Sequence, residues 1–359
     1  MPIKPSNPLI PSWSQDQLDC PSSPETEAAY FDPLLNAWVL SKYSDVLAAF
    51  RTSSLVLSSP RLGKTIELPD DRERARIRVE ALESLSPVPL RRWRDKLNRE
   101  VYEVADGLST EKPVDLMDDY ARPLCLSLAA MTTGISRDDG ARLYEGARHV
   151  SAAAAEPYDH ALRASAKAAN AEIRRYIPSS PERLDSSGFV ALSQTLPCLL
   201  GNAWFALIQY PLQWTELHQQ PALIEQAIEE LLRYSGLART VTRIATADID
   251  LNGCLIRKGE QVILRIIAAN RDPDRFPQPN QVDIHRNEGA HFTLGSGSHS
   301  CVAAGLIRMA AATITRPLLE RFGAPTLVSP VEWQGGSGFR FPRSLWVRLP
   351  RAPQDEARI

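Results

Sequence analysis

Cys301 stands in Leu294-Gly295-Ser296-Gly297-Ser298-His299-Ser300-Cys301-Val302-Ala303, a glycine-rich stretch that delivers one thiol to the start of a long apolar helix. A cysteine at a helix N-terminus is biased toward thiolate by the dipole and the free amides, and a thiolate is the strong axial donor that iron chemistry needs. The loop 294–303 therefore points to a haem-thiolate protein. A second candidate is Glu229-Glu230-Leu231-Leu232-Arg233, on a helix opened by Pro221 and closed by Gly236. Glu230 and Arg233 sit one turn apart on one face; alone they read as a surface pair worth about 0.2–0.5 kcal/mol. An ordered series sets them apart: Arg243-Ile244-Ala245, Ala268-Ala269-Asn270-Arg271-Asp272-Pro273, Phe276-Pro277 and Asp283-Ile284-His285-Arg286, all before the cysteine loop.

The elements that must position these residues are mainly helical. Apolar residues recur at i, i+3 and i+4 near 44–51, 90–108, 116–134, 138–155, 160–176, 187–218, 222–235 and 302–322. Strand-like pieces are short. Ala28-Ala29-Tyr30-Phe31 and Ala37-Trp38-Val39-Leu40 flank an Asp32-Pro33 turn and read as a hairpin; a second set covers 243–251, 254–256, 261–267 and 344–349. The Pro-, Ser- and Asp-rich stretches 55–72 and 178–187 read as loops too short to separate domains. The expectation is one mainly α domain with a minor β-sheet over 1–359, with 1–25 an irregular N-terminal segment.

With 359 residues, 43% hydrophobic content, 23% charge and a net charge of −2, the chain can bury a large core and offers no electrostatic reason to expect nucleic acid or an anionic membrane as partner. Its five cysteines (20, 125, 198, 254 and 301) are scattered and lack CxxC or zinc spacing, which suits a reducing compartment. The Pro- and Ser-rich start lacks an apolar signal core, and no run approaches about 20 uninterrupted apolar residues, so the expected location is the cytoplasm, away from membranes.

The ordered motifs resemble the cytochrome P450 superfamily, especially its soluble bacterial members, most densely over 188–310. The resemblance implies a large haem-binding domain holding haem b, with Cys301 as iron ligand in a loop shaped by Gly295 and Gly297. It implies a buried network of Glu230, Arg233 and Arg286, and haem-propionate contacts from His299 and Arg243. Arg74 and Arg78 fall at the family's H-x-x-x-R pair, with arginine in place of histidine; a solvated basic face over Arg72, Arg74, Arg76 and Arg78 is the alternative. The phenylalanine usual seven residues before the cysteine is Leu294, with Phe292 two positions further back, and Ala303 replaces a glycine.

The oxygen-binding signature falls on Ala191-Leu192-Ser193-Gln194-Thr195. Thr195 keeps the hydroxyl, whereas Gln194 replaces the acid and cannot release a proton, and Leu192 fills the place of a glycine. An ordinary buried helix is the alternative there. Pro197 is expected to kink it. The implied substrate pocket includes Val190, Ala191, Leu192, Leu237 and Val241, with walls near 55–66, 138–165 and 336–339. The activity implied is insertion of one oxygen atom of dioxygen into a small to mid-sized apolar substrate. Its electrons would come from a separate ferredoxin-type donor docking near Arg91, Arg92, Arg94 and Lys96, which otherwise form a solvated helix face. Peroxide-driven or redox-neutral chemistry, and a non-catalytic haem-binding protein, are the alternatives.

Overall fold

The computed structural model describes residues 29–57, 78–79, 82–83, 85–156, 159–177, 183–335 and 338–352. The irregular segment 1–25, Cys20, and Arg72, Arg74 and Arg76 lie outside the described residues.

Ser186–Ile208 is a 23-residue helix through the centre of the molecule. Every residue from Leu196 to Ile208 is buried, so this stretch is apolar all round, as a helix enclosed by others must be. By length and composition it could cross a membrane, yet 83% of its apolar window is buried against the rest of the chain, which makes it a core helix. The expected continuous run to residue 218 is broken. The helix ends at Ile208 and a new one, Pro211–Gln219, starts on a proline. Pro211 fits a first helical turn but has no N–H with which to continue the previous helix.

Around this axis pack Pro87–Asp106, Arg122–Thr133, Arg137–Ala155, Ile224–Ser235 and Ala304–Arg321, with His160–Tyr176 laid on Arg137–Ala155. Local chemistry sets several boundaries. Ser136 and Asp159 accept backbone N–H bonds at their helix starts, and Gly134, at φ 72°, ends Arg122–Thr133 in the left-handed conformation. Asp115, fully enclosed, accepts the amides of Met117 (3.0 Å) and Leu345 (2.7 Å) and so ties the start of Leu116–Ala121 to the C-terminal segment.

The main sheet has five strands. The expected hairpin forms from Tyr30–Asp32 and Ala37–Leu40, and Asp32 accepts the amides of Leu34 (2.9 Å) and Leu35 (3.1 Å) in its turn. Ala37–Leu40 runs parallel to Gln261–Arg265, which pairs antiparallel with Thr240–Ala245. Leu55–Leu57 completes the edge against Arg243–Ala245, so the start of the stretch 55–72, expected as loop, is strand. The expected strand 243–251 divides into Thr240–Ala245 and Ile249–Leu251, and the expected 344–349 narrows to Trp346–Arg348 between Val114–Asp115 and Thr326–Leu327.

Two apolar clusters result, a large one among the helices and a smaller one over the main sheet. Leu294 belongs to the first and Phe292 to the second, so the segment entering the cysteine loop is pinned in both.

Candidate functional site

Immediately before the loop, the Phe292 amide donates to Asn270 Oδ1 (2.7 Å), and Thr293 Oγ1 donates to the Leu232 carbonyl (2.6 Å) while accepting from Asn270 Nδ2 (2.9 Å). Asn270 belongs to a motif that the sequence singled out without assigning it a task; here it anchors the cysteine loop to the helix Ile224–Ser235. The loop then doubles back. Gly295 and Gly297 take φ of 74° and 57°, and the Cys301 amide donates to the Leu294 carbonyl at 2.7 Å. A Cβ on Gly295 would lie 2.3 Å from the His299 carbonyl oxygen. The Gly295→Ala protein is therefore expected to purify with less haem per chain, measured by haemochromogen absorbance against protein concentration; wild-type stoichiometry would contradict this.

Cys301 ends this turn, just before the helix Ala304–Arg321. The sequence expectation of a thiol biased toward thiolate is not what the surroundings alone produce. Burial is the largest influence and raises the thiol's pKa; a hydrogen bond from the Ala303 amide and the charges of Arg78 and Arg308 pull the other way. The chain by itself thus favours a neutral thiol, whose proton leaves when a metal takes its place. Arg78 donates to the Ser300 carbonyl and to Ser300 Oγ, both at 2.7 Å, so it clamps the cysteine loop. Arg74 lies outside the described residues. Phe292 does not replace the missing aromatic beside the sulfur, because it packs on Tyr43 and Phe50 at centroid distances of 4.4 and 5.4 Å. Leu294 and Cys301 share the helical cluster instead.

The Glu230, Arg233 and Arg286 side chains meet in the interior, at 1%, 2% and 6% exposure. Arg233 grips the Glu230 carboxylate through Nε (2.7 Å) and Nη2 (2.9 Å), and Arg286 Nε reaches it at 3.1 Å. The remaining donors are spent on carbonyls: Arg233 on Asn270, Pro279 and Gln281, and Arg286 on Pro277. Asp283 N–H adds a bond to Glu230 at 2.9 Å. Such saturation is the condition under which buried charge is tolerated. A second bridge was not foreseen: Arg308 holds Glu229 through Nη2 at 3.0 Å and, more closely, through Nε, with His291 Nε2 3.6 Å from the same carboxylate. Burial would raise Glu229, but the neighbouring His291 and Arg308 outweigh it and bring the group to about 2.

Arg243, on the strand Thr240–Ala245, is buried, and burial pushes its guanidinium down to about 10. Its Nε has no partner, its Nη1 reaches only the Thr242 carbonyl (3.2 Å), and its guanidinium carbon lies 5.6 Å from the Phe50 ring, which neighbours His299 at 6.3 Å. A dehydrated guanidinium with an orphaned donor is suited to a carboxylate brought by a bound group, such as a haem propionate. With the partly buried Cys301 sulfur two residues beyond His299 in the same loop, these residues fit haem.

The central helix is widened where the oxygen-binding signature falls. Ala191–Thr195 is a π-turn, in which the Leu196 amide reaches the Ala191 carbonyl five residues back. Pro197 follows this wide turn, and the helix continues through it. Ala191, Thr195 and Val190 are partly exposed, whereas Leu192, Ser193 and Gln194 are buried. Gln194 donates toward the Tyr144 carbonyl at 3.4 Å. Leu192 packs in the helical cluster, Leu237 is buried, and Val241 lies on the same strand as Arg243.

A partly buried cysteine turn, a buried carboxylate–guanidinium lock and a core helix with a widened turn together fit a haem-thiolate protein. A family profile described as Cytochrome P450 matches residues 209–330. Mycocyclosin synthase of Mycobacterium tuberculosis is 30% identical over 276 residues, covering 68% of this chain and 69% of that one. The polyketide biosynthesis cytochrome P450 PksS of Bacillus subtilis is 25% identical over 373 residues, covering 90% and 92%. Among solved structures, the LnmA cytochrome P450 hydroxylase of the leinamycin biosynthetic pathway of Streptomyces atroolivaceus superposes with a TM-score of 0.72 at 27% identity, covering 87% of this chain and 90% of that one. The chain belongs to the cytochrome P450 family, the haem-dependent monooxygenases.

Proposed function

We propose that the chain is a single-domain, cytoplasmic haem-thiolate monooxygenase. It oxidises a small to mid-sized apolar organic molecule in natural-product metabolism, with electrons from a separate ferredoxin-type protein. The observation that carries the reading is the partly buried Cys301 sulfur, which accepts from the Ala303 amide, together with the orphaned Arg243 donor over Phe50, the ring that neighbours His299 of the same loop. The relatives' names, polyketide and mycocyclosin biosynthesis among them, support the metabolic setting.

Haem, when bound, supplies the activation of dioxygen. The protein's part is to hold the ligand, neutralise the propionates and manage protons. Cys301 would ligate the iron, with Gly295 and Gly297 shaping the approach; Arg243 and His299 would meet propionates, and Arg78 would brace the loop. Thr195, partly exposed on the widened turn, would hold and pass on a proton at its Oγ1. Val190, Ala191, Leu192, Leu237 and Val241 would shape the apolar pocket. Removing the Thr195 hydroxyl in Thr195→Ala is expected to leave substrate binding intact and to raise hydrogen peroxide release per electron pair consumed. An unchanged ratio of peroxide to product would exclude Thr195 from proton delivery.

One observation favours a second reading. The central helix carries no Asp or Glu between Ser186 and Ile208, and Gln194 is turned toward the Tyr144 carbonyl, so no carboxyl on this helix can relay protons beside Thr195. Peroxide-driven or redox-neutral turnover needs no such relay. Turnover with reduced ferredoxin but not with peroxide supports the first reading, and the reverse supports the second. For docking, Arg91, Arg92, Arg94 and Lys96 are exposed on the helix Pro87–Asp106, which packs on the helix following Cys301. A cationic surface there suits an acidic electron carrier, and raised ionic strength is expected to slow ferredoxin-supported turnover.

A further inference from the structure

Two cations work against the burial that raises the Cys301 thiol, Arg78 and Arg308, and the second has been given no task so far. Arg78 is committed to the Ser300 carbonyl and hydroxyl. Arg308 belongs to the helix Ala304–Arg321. The Ala304 amide donates to the Cys301 carbonyl (3.2 Å) and the Ile307 amide to the Ala303 carbonyl (2.8 Å), so the chain starts to wind at the cysteine itself. From Cys301 to Arg308 is about two helical turns, which brings the arginine round to the side on which the cysteine enters. The influence is mutual: Arg308 is raised, chiefly by its hydrogen bonds to Glu229 and further by the Cys301 sulfur.

A charge beside an electron-donating ligand acts only as far as it is unbalanced. Arg308 is balanced by Glu229, whose two carboxylate oxygens lie 2.5 Å from Nε and 3.0 Å from Nη2. This fork holds the guanidinium in one place. His291 holds the carboxylate in turn. Nδ1 of this buried ring accepts the Thr293 amide (3.2 Å), so the neutral ring carries its proton on Nε2, which has no hydrogen-bond partner and faces Glu229 Oε2 at 3.6 Å. The adjacent glutamates thus divide the work. Glu230, 1% exposed, locks the interior, whereas Glu229, 42% exposed, reaches the helix that follows the cysteine and can be replaced without burying a lone charge.

We propose that Glu229 and Arg308 form a balanced charge couple that sets the reduction potential of the haem iron through the Cys301 sulfur, with Arg308 a positioning residue and Glu229 its counter-charge. The inference rests on the reading of Cys301 as the iron's ligand. Adding an electron to the iron is favoured by an unbalanced cation near that ligand and opposed by an unbalanced anion. The two halves of the couple therefore act with opposite signs.

The test is a spectroelectrochemical titration of the haem-loaded protein, without substrate or redox partner, at low ionic strength. Glu229→Gln, which strands the Arg308 cation, should raise the ferrous-to-ferric ratio at a fixed potential about threefold, and Arg308→Gln, which strands the Glu229 anion, should lower it about threefold; for one electron at 59 mV per decade each shift is ~28 mV. The double Glu229→Gln/Arg308→Gln variant and the charge-conserving Arg308→Lys should both return to within about 1.5-fold of wild type, and all four should keep the reduced carbon monoxide band. Shifts of the same sign in the two single variants, no shift in either, or a double variant displaced as far as a single one overturns the couple. So does a loss of thermal stability with the potential unmoved, which marks a pair that only ties two helices together. Failure of the haem-thiolate reading looks different: the carbon monoxide band is then missing in the wild-type protein before any residue is changed.

Discussion

Cys301→Ser is expected to fold, yet to show no long-wavelength thiolate band when its haem is reduced and exposed to carbon monoxide, and its turnover should fall to background. Serine nearly preserves the volume and can still accept the Ala303 amide, so the loop keeps its shape while the donor changes from a polarisable sulfur to an alcohol oxygen that stays protonated. The other described cysteines serve as controls. Cys125 and Cys198 are buried among apolar side chains, and burial pushes the Cys198 thiol up to about 12; Cys254 Sγ lies 3.6 Å from the Ala29 carbonyl. Changing any of these to serine should leave the band in place. If the band survives in Cys301→Ser, the metal is held by another atom.

The Glu230→Gln protein should lose about 3–5 kcal/mol of stability, read as a lowered urea midpoint and as haem lost on gel filtration. The change leaves Arg233 and Arg286 facing each other in the interior with no anion between them, and although the glutamine oxygen can still accept the Asp283 amide, the new NH2 sets a donor against an arginine donor. Glu225→Gln is the comparison. Its partner Arg316 is 3.2 Å away, but Glu225 is 68% exposed, so the loss there should stay within about 1 kcal/mol. Similar midpoints for the two variants would show that the buried lock adds nothing beyond a surface pair.

Much of this arrangement is legible in the chain because the deciding residues are close together in sequence or sharply typed. The helix holding Glu230 and Arg233, the hairpin around Asp32-Pro33 and the glycine-rich cysteine turn follow from local patterns, and the resemblance places Arg286 with Glu230. The short strands Leu55–Leu57, Val114–Asp115, Thr326–Leu327, Trp333–Gly335 and Arg340–Pro342 are different: two or three residues carry no period, and only distant partners make them strands. The π-turns at Leu116–Ala121 and Ala191–Thr195 escape for a related reason, since over one turn a repeat of 4.4 is indistinguishable from 3.6. The thiol of Cys301 is misjudged from sequence because the helix dipole is visible in a motif, whereas the burial that outweighs it is a property of the assembled fold.

Each residue of a regular α-helix advances the chain by about 100°. The surplus residue at Ala191–Thr195 therefore works as a phase gear between the two halves of the central helix. The far half keeps Phe205 against Trp333 and Asn202 beneath Arg340, while the near half sends Phe189 toward Gly140 of the helix Arg137–Ala155. A one-residue deletion between 191 and 195 would restore the ordinary repeat and swing Phe189 about a quarter-turn away from Gly140, undocking the helix above it. The turn that carries Thr195 is thus coupled to the seating of the helix Arg137–Ala155.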